Sequence, residues 1–177
     1  QESRGLGDVY KRQVDDMHLF GNHNYENVMA AIAMTIEAGV PLNIIINVIK
    51  DFMGVEHRIE YVRDKNGVRY YNDSKGTNPD SSIKALEAMS RPTILIAGGY
   101  DKHSEFDEFI EAFDNKVKLM VLLGQTADKI EETAVRHGFT NIIKTDSLEK
   151  AVKICAENAV SGDVVSVSYT HLRAHET

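Results

Sequence analysis

Short apolar runs of strand length alternate with amphipathic stretches along most of the chain, and this order constrains the fold more tightly than any other feature. Val68–Tyr71, Thr93–Ala97, Leu119–Leu123, Ile142–Lys144 and Asp163–Val165 read as strands. Between them Ser81–Met89, Glu105–Phe113, Thr126–His137 and Leu148–Ala159 place apolar residues at helical spacing. That order demands crossover connections and predicts a Rossmann-like α/β fold, a mainly parallel sheet with helices on both faces. Ahead of it, Ile59–Arg63 and Val68–Tyr71 flank Asp64-Lys65-Asn66-Gly67, whose Asn-Gly pair predicts a hairpin.

The first part of the chain differs. Asn24–Ala38 carries Val28, Ala31, Ile32 and Ile36 on one stripe and stops at Gly39, and Pro41 opens a second helix through Ile45, Val48, Ile49 and Phe52. Gly54 then punctuates, and the domain boundary is expected there. At 177 residues and 42 % hydrophobic, the chain holds enough apolar material for one sizeable core and a fragment of a second. A formal net charge of −7 argues against a nucleic-acid partner. A single cysteine, Cys155, forms no internal disulfide and suggests a reducing compartment. The sequence shows neither a signal peptide nor an apolar run of membrane-spanning length, so a cytoplasmic protein without a membrane partner is expected.

Polar residues gather after two of the strands. Asn72-Asp73-Ser74-Lys75-Gly76-Thr77-Asn78-Pro79 sets a carboxylate, an ammonium, a hydroxyl and carboxamides on one strand-to-helix turn. A helix N-terminus there would offer free N–H groups to an anion, unless Asn78 or Asp80 simply caps the helix. Gly98-Gly99-Tyr100-Asp101-Lys102 follows the next strand, with a mobile ammonium that suits a carboxylate or phosphate and is equally at home as a solvated loop lysine. The glycine pair is no phosphate loop of the Gly-x-x-x-x-Gly-Lys-Ser/Thr kind. Asn24 and Asn27, three apart on a helix, can turn carboxamides toward a purine edge, and Asn24 can alternatively cap.

Three strings in order, Gly54-Val55-Glu56-His57-Arg58-Ile59-Glu60, Asn72-Asp73-Ser74-Lys75-Gly76-Thr77-Asn78-Pro79 and Ala97-Gly98-Gly99-Tyr100-Asp101-Lys102, together resemble the Mur ligase family, from about Val14 to Val165. The Asp-Ser-Lys-x-Thr-Asn turn is similar to that of the members that add D-glutamate. The resemblance implies ATP-driven amide formation, in which the carboxylate of UDP-N-acetylmuramoyl-L-alanine becomes an acyl phosphate that the amine of D-glutamate attacks, with Mg2+ offsetting the phosphate charge. It implies adenine contacts from Asn24 and Asn27, phosphate contacts from Arg58, a ribose contact from Asp73 and a catalytic role for Lys75 on the nucleotide side. Thr77 and Lys102 would hold a D-glutamate carboxylate. His23 and His57 are read as structural, His103 is given no role, and the Mg2+ ligands are expected upstream. A monomer is expected.

On this reading residues 14–54 are the helical end of an ATP-binding central domain and 55–165 the Rossmann-like ligase domain. Residues 1–13 and 166–177 break the family pattern and look like translated sequencing-adaptor DNA, so they are set aside as non-native tails. The Ser-Pro-Ala segment expected after Val165 is absent, and the chain alone is expected to be inactive in ligation. The alternatives are a non-catalytic Rossmann-like module that binds a nucleotide or anion, and a Mur or folylpolyglutamate-type ligase with another amino acid.

Overall fold

A computed structural model describes residues 17–19, 21–100 and 104–171, omitting the side chains of 169–171. The chain divides into two compact units, 1–55 and 56–177. In the first, α1 (Asn22–Glu37) and α2 (Leu42–Asp51) follow one another across the Gly39-Val40-Pro41 connection. Val28 and Ile45 are buried there, while Met34, Val48 and Met53 are 67 %, 60 % and 70 % exposed.

The second unit is the α/β fold read from the alternation. Its sheet runs β1 (Glu60–Lys65), β2 (Val68–Asp73), β3 (Thr93–Gly99), β4 (Val117–Gly124), β5 (Ile142–Lys144) and β6 (Val164–His171) in the chain, and β1-β2-β6-β3-β4-β5 in space. Only β1 pairs antiparallel, as the outer arm of the hairpin, and Asn66 and Gly67 both take the left-handed conformation its turn requires. Every other pairing is parallel.

The two-residue period of the strands builds both layers. Leu95, Ala97, Met120 and Leu122 face α3 (Pro79–Ala88), α4 (Asp107–Glu111) and α5 (Ala127–Arg136), where Leu86, Phe109 and Ile130 join them. Ile94, Ile96, Leu119, Val121 and Val165 face the opposite way, onto Ala151 and Cys155 of α6 (Leu148–Asn158). Burial pushes the Cys155 thiol up to about 12, which leaves it an apolar packing group. The helix expected over Glu105–Phe113 is shorter, α4 alone, and the chain passes Phe113 into a turn where Asp114 and Asn115 are left-handed.

The structure departs from the sequence reading at the end of the sheet. Residues 166–171, set aside as a tail, continue β6, which lies between β2 and β3: Ser166 pairs with Tyr71 and Leu95, and Ser168 with Asp73. The ladders are made by backbone groups, so a strand started by Val164 and Val165 extends between two partners with little regard for side-chain identity. The side chains fit less well than the backbone, since Ser166 Oγ is buried without a hydrogen-bond partner. An unsatisfied buried hydroxyl costs about 1–3 kcal/mol. Ser166→Ala should therefore raise stability by about 1 kcal/mol, read from the urea midpoint at unchanged slope.

Candidate functional site

In a parallel sheet the carboxyl ends of the strands share one rim, where ligands collect. β2 ends there in Asp73 and β3 in Gly99, separated by β6. Two strand spacings place the two loops about 10 Å apart. The β3 loop is anchored to β4 by backbone approach: a Cβ on Gly98 would lie 1.8 Å from the carbonyl oxygen of Leu123, and Thr126 N–H donates to Gly99 O at 3.1 Å. Lys102, two residues past Tyr100, lies outside the described residues.

The β2 turn resolves one open reading. Asn78 caps α3, its Oδ1 accepting from Ser81 N–H at 2.8 Å, and Pro79 begins the helix. The cap takes the Ser81 N–H, one of the N–H groups that open the helix. Thr77, beside the cap, is half-buried, and Lys75 is exposed with no ion pair among the described residues.

Asp73 is the buried member of the turn, 2 % exposed. Its Oδ1 accepts from Ile59 N–H at 3.0 Å and its Oδ2 from Ser168 Oγ at 3.0 Å. A ribose contact by Asp73 therefore requires the Ser168 hydroxyl to give way. A Cβ on Gly76 would sit 2.5 Å from Oδ2, so the turn closes over its own carboxylate only because that residue has no side chain. The loop before β1 is bound to the same turn: Lys75 N–H donates to His57 O at 3.0 Å, and Asn72 Nδ2 lies 2.9 Å from His57 Nδ1. Arg58 follows His57, exposed, and acts on Asp73 electrostatically.

The residues missed by sequence reading are Ile59 and Ser168. Ile59 holds φ 47, a left-handed position for a β-branched residue. Such strain costs about 1–3 kcal/mol, comparable to the roughly 1.5–3 kcal/mol of a hydrogen bond to a charged group. Ser168 lies in the segment that breaks the family pattern. Neither position carries a local signal, since an isoleucine before a strand and a serine within one are ordinary.

On the first unit, α1 begins at Asn22 with Gly21 as its cap, so Asn24 sits inside the first turn and does not cap it. Asn24 is half-buried and Asn27 exposed. No group of three or more His, Cys, Asp or Glu side chains arranged for a metal occurs among the described residues, and none of their helices is long and apolar enough to cross a membrane.

Burial raises the Asp73 carboxyl from 3.8 to about 6, against the opposing effects of the Ser168 and Ile59 donors and of Arg58. The folded chain then holds this proton more tightly than the unfolded chain. The associated stability is complete below about pH 4, falls as pH rises, and is lost above about pH 6, a change of about 3 kcal/mol. Asn at this position keeps an acceptor for Ile59 and a donor for Ser168 at every pH. Asp73→Asn should match the parent near pH 4 and exceed it by up to about 3 kcal/mol at pH 7, measured by urea denaturation across that range.

Residues 57–168 match the family profile of the Mur ligase, glutamate ligase domain. The chain is 62 % identical over 164 residues to the UDP-N-acetylmuramoylalanine–D-glutamate ligase of Lachnospira eligens, covering 93 % of this chain and 36 % of that protein. It is 55 % identical over 155 residues to the ligase of the same name from Lachnoclostridium phytofermentans, covering 88 % and 34 %. It thus spans about a third of the length of the curated relatives it matches. Among solved structures, the UDP-N-acetylmuramate-alanine ligase of Thermotoga maritima aligns with a TM-score of 0.70 at 16 % identity, over 86 % of this chain and 36 % of that one. The folylpolyglutamate synthase of the same organism aligns at 0.63 and 18 %, over 86 % and 37 %. Identities this low speak for a common fold alone. With the profile running through the sheet, both rim loops and most of the helices, the chain belongs to the Mur ligase family.

Proposed function

We propose that this chain is the glutamate ligase domain, with the last helices of the central ATP-binding domain, of an enzyme that adds D-glutamate to UDP-N-acetylmuramoyl-L-alanine in peptidoglycan precursor synthesis. The observation that carries the reading is the 62 % identity to a D-glutamate ligase over 93 % of the chain. By comparison, aligned ligases named for other substrates share its fold at 16–18 %. The exposed apolar side chains of α1 and α2, among them Met34 and Val48, fit helices covered by further parts of a longer protein.

In this reading ATP supplies the phosphoryl group that activates the UDP-N-acetylmuramoyl-L-alanine carboxylate for attack by the D-glutamate amine. Arg58 and Lys75, exposed cations on backbone joined at His57 O, suit the polyphosphate, and we assign to Lys75 the neutralisation of charge as the phosphoryl group moves. Asp73 reaches the ribose once Ser168 yields. Asn24 and Asn27 take the adenine edge. Thr77 and Lys102 hold a D-glutamate carboxylate, the first by its hydroxyl and the second by charge. The cations of this rim do not suit Mg2+, whose ligands we assign to other segments of the whole enzyme. The enzyme is placed in the cytoplasm as a monomer.

Two outcomes test the reading. The purified chain, which contains no Walker-type loop, should release no phosphate in the presence of ATP, both substrates and Mg2+; release that depends on D-glutamate would overturn that expectation. In a full-length ligase carrying this segment, Lys102→Ala should raise the KM for D-glutamate at least tenfold while moving that for ATP less than threefold. An unchanged KM for D-glutamate refutes the assignment.

A further inference from the structure

Arg58 is held by its two neighbours. His57 and Ile59 both occupy left-handed backbone, at φ 65 and φ 47, a conformation that persists in a β-branched residue such as Ile59 only where the surroundings over-determine it. On one side, the carbonyl of His57 accepts Lys75 N–H, its N–H donates to Glu60 Oε2 at 2.9 Å, and its ring meets Asn72. On the other, the Ile59 side chain is buried with Tyr71, Met89 and Val164, and its N–H points at Asp73 Oδ1. Ser168 and the close approach of Gly76 keep that carboxylate where it is. Nothing else among the described residues accepts the Ile59 N–H, so its hydrogen bond opposes the strain on that side together with the packing of the side chain.

We propose that Asp73 is a positioning residue: through Oδ1 it fixes the strained His57–Ile59 segment and thereby presents Arg58 at the rim alongside Lys75, ready for the polyphosphate of ATP. The inference rests on the nucleotide role proposed for Arg58 and adds a task for Asp73 distinct from any contact with the ribose, since the pinning oxygen is Oδ1 and the one covered by Ser168 is Oδ2. A ligand that displaced Ser168 would leave the pin intact.

The test uses the isotope-labelled chain. In the parent, the Ile59 amide should exchange with solvent at least a hundredfold more slowly than that of exposed Glu56. Asp73→Ala should speed Ile59 exchange at least tenfold and weaken ATP binding at least tenfold, while Asp73→Asn, which keeps the Oδ1 acceptor, retains the Ile59 protection. If Asp73 acts through Arg58, Asp73→Ala should weaken ATP binding by a smaller factor in an Arg58→Ala background than in the parent, what remains there being the ribose contact. Unchanged Ile59 exchange in Asp73→Ala, or losses that add in full across the two variants, overturns the pin. Should Asp73→Ala not fold, the parent still decides, because an Ile59 amide that exchanges as fast as that of Glu56 has the same consequence. An Arg58→Ala variant that binds ATP as the parent does refutes the phosphate reading alone, and the exchange data then judge the pin separately.

Discussion

A buried carboxylate under the β2 turn is the constraint on which the rim depends. Asp73 joins three segments that are distant in sequence: the loop before β1 through Ile59, its own turn through Gly76, and the last strand through Ser168. Removing a carboxylate from water is unfavourable, and the raised titration of this one is the direct expression of that cost. Two donors and a nearby guanidinium offset part of it. The residual strain is stored where the domain displays its exposed cations, so stability is given up locally for the placement of charge.

The sheet explains why that placement is possible. Parallel pairing brings the ends of β2, β6, β3 and β4 to one side, and β6 holds the Asp73 turn and the Gly98 loop a fixed two spacings apart. The strand that sets this spacing is the last among the described residues and lies inside the sheet, so the rim is complete only when its pairing with β2 and β3 has formed. At the opposite end of the sheet, Lys118 and buried Asp163 form an ion pair at the base of the same strand. β6 is therefore tied by side chains at its base and at Ser168, although the Ser166 hydroxyl between them makes no hydrogen bond.

The fold itself is shared with ligases named for different amino acids and for folate, and it carries no information about which carboxylate or amine is joined. The function proposed above assigns the difference between the branches to the rim, to the Asp73–Asn78 turn and the loop that contains Lys102.

The sequence by itself determined what depends on neighbours a few residues away. Alternating strand and helix periods specified the α/β class and its two apolar layers, Asn66-Gly67 specified the hairpin turn, Gly39 and Pro41 marked the break between α1 and α2, and the three motif strings marked the family. The tertiary structure alone decided whatever joins distant segments: the position of β6 between β2 and β3, its continuation through residues discounted as a tail, the left-handed backbone of Ile59, and the burial of an aspartate that reads locally as a solvent-facing turn residue. Periodicity is a property of short windows, whereas the partner of a strand edge or of a carboxylate oxygen is chosen by the whole packed chain. The cap on α3 shows the same division in one residue. Asn78 was legible as a cap or as part of an anion site, and its contact with Ser81 in the folded helix decided for the cap.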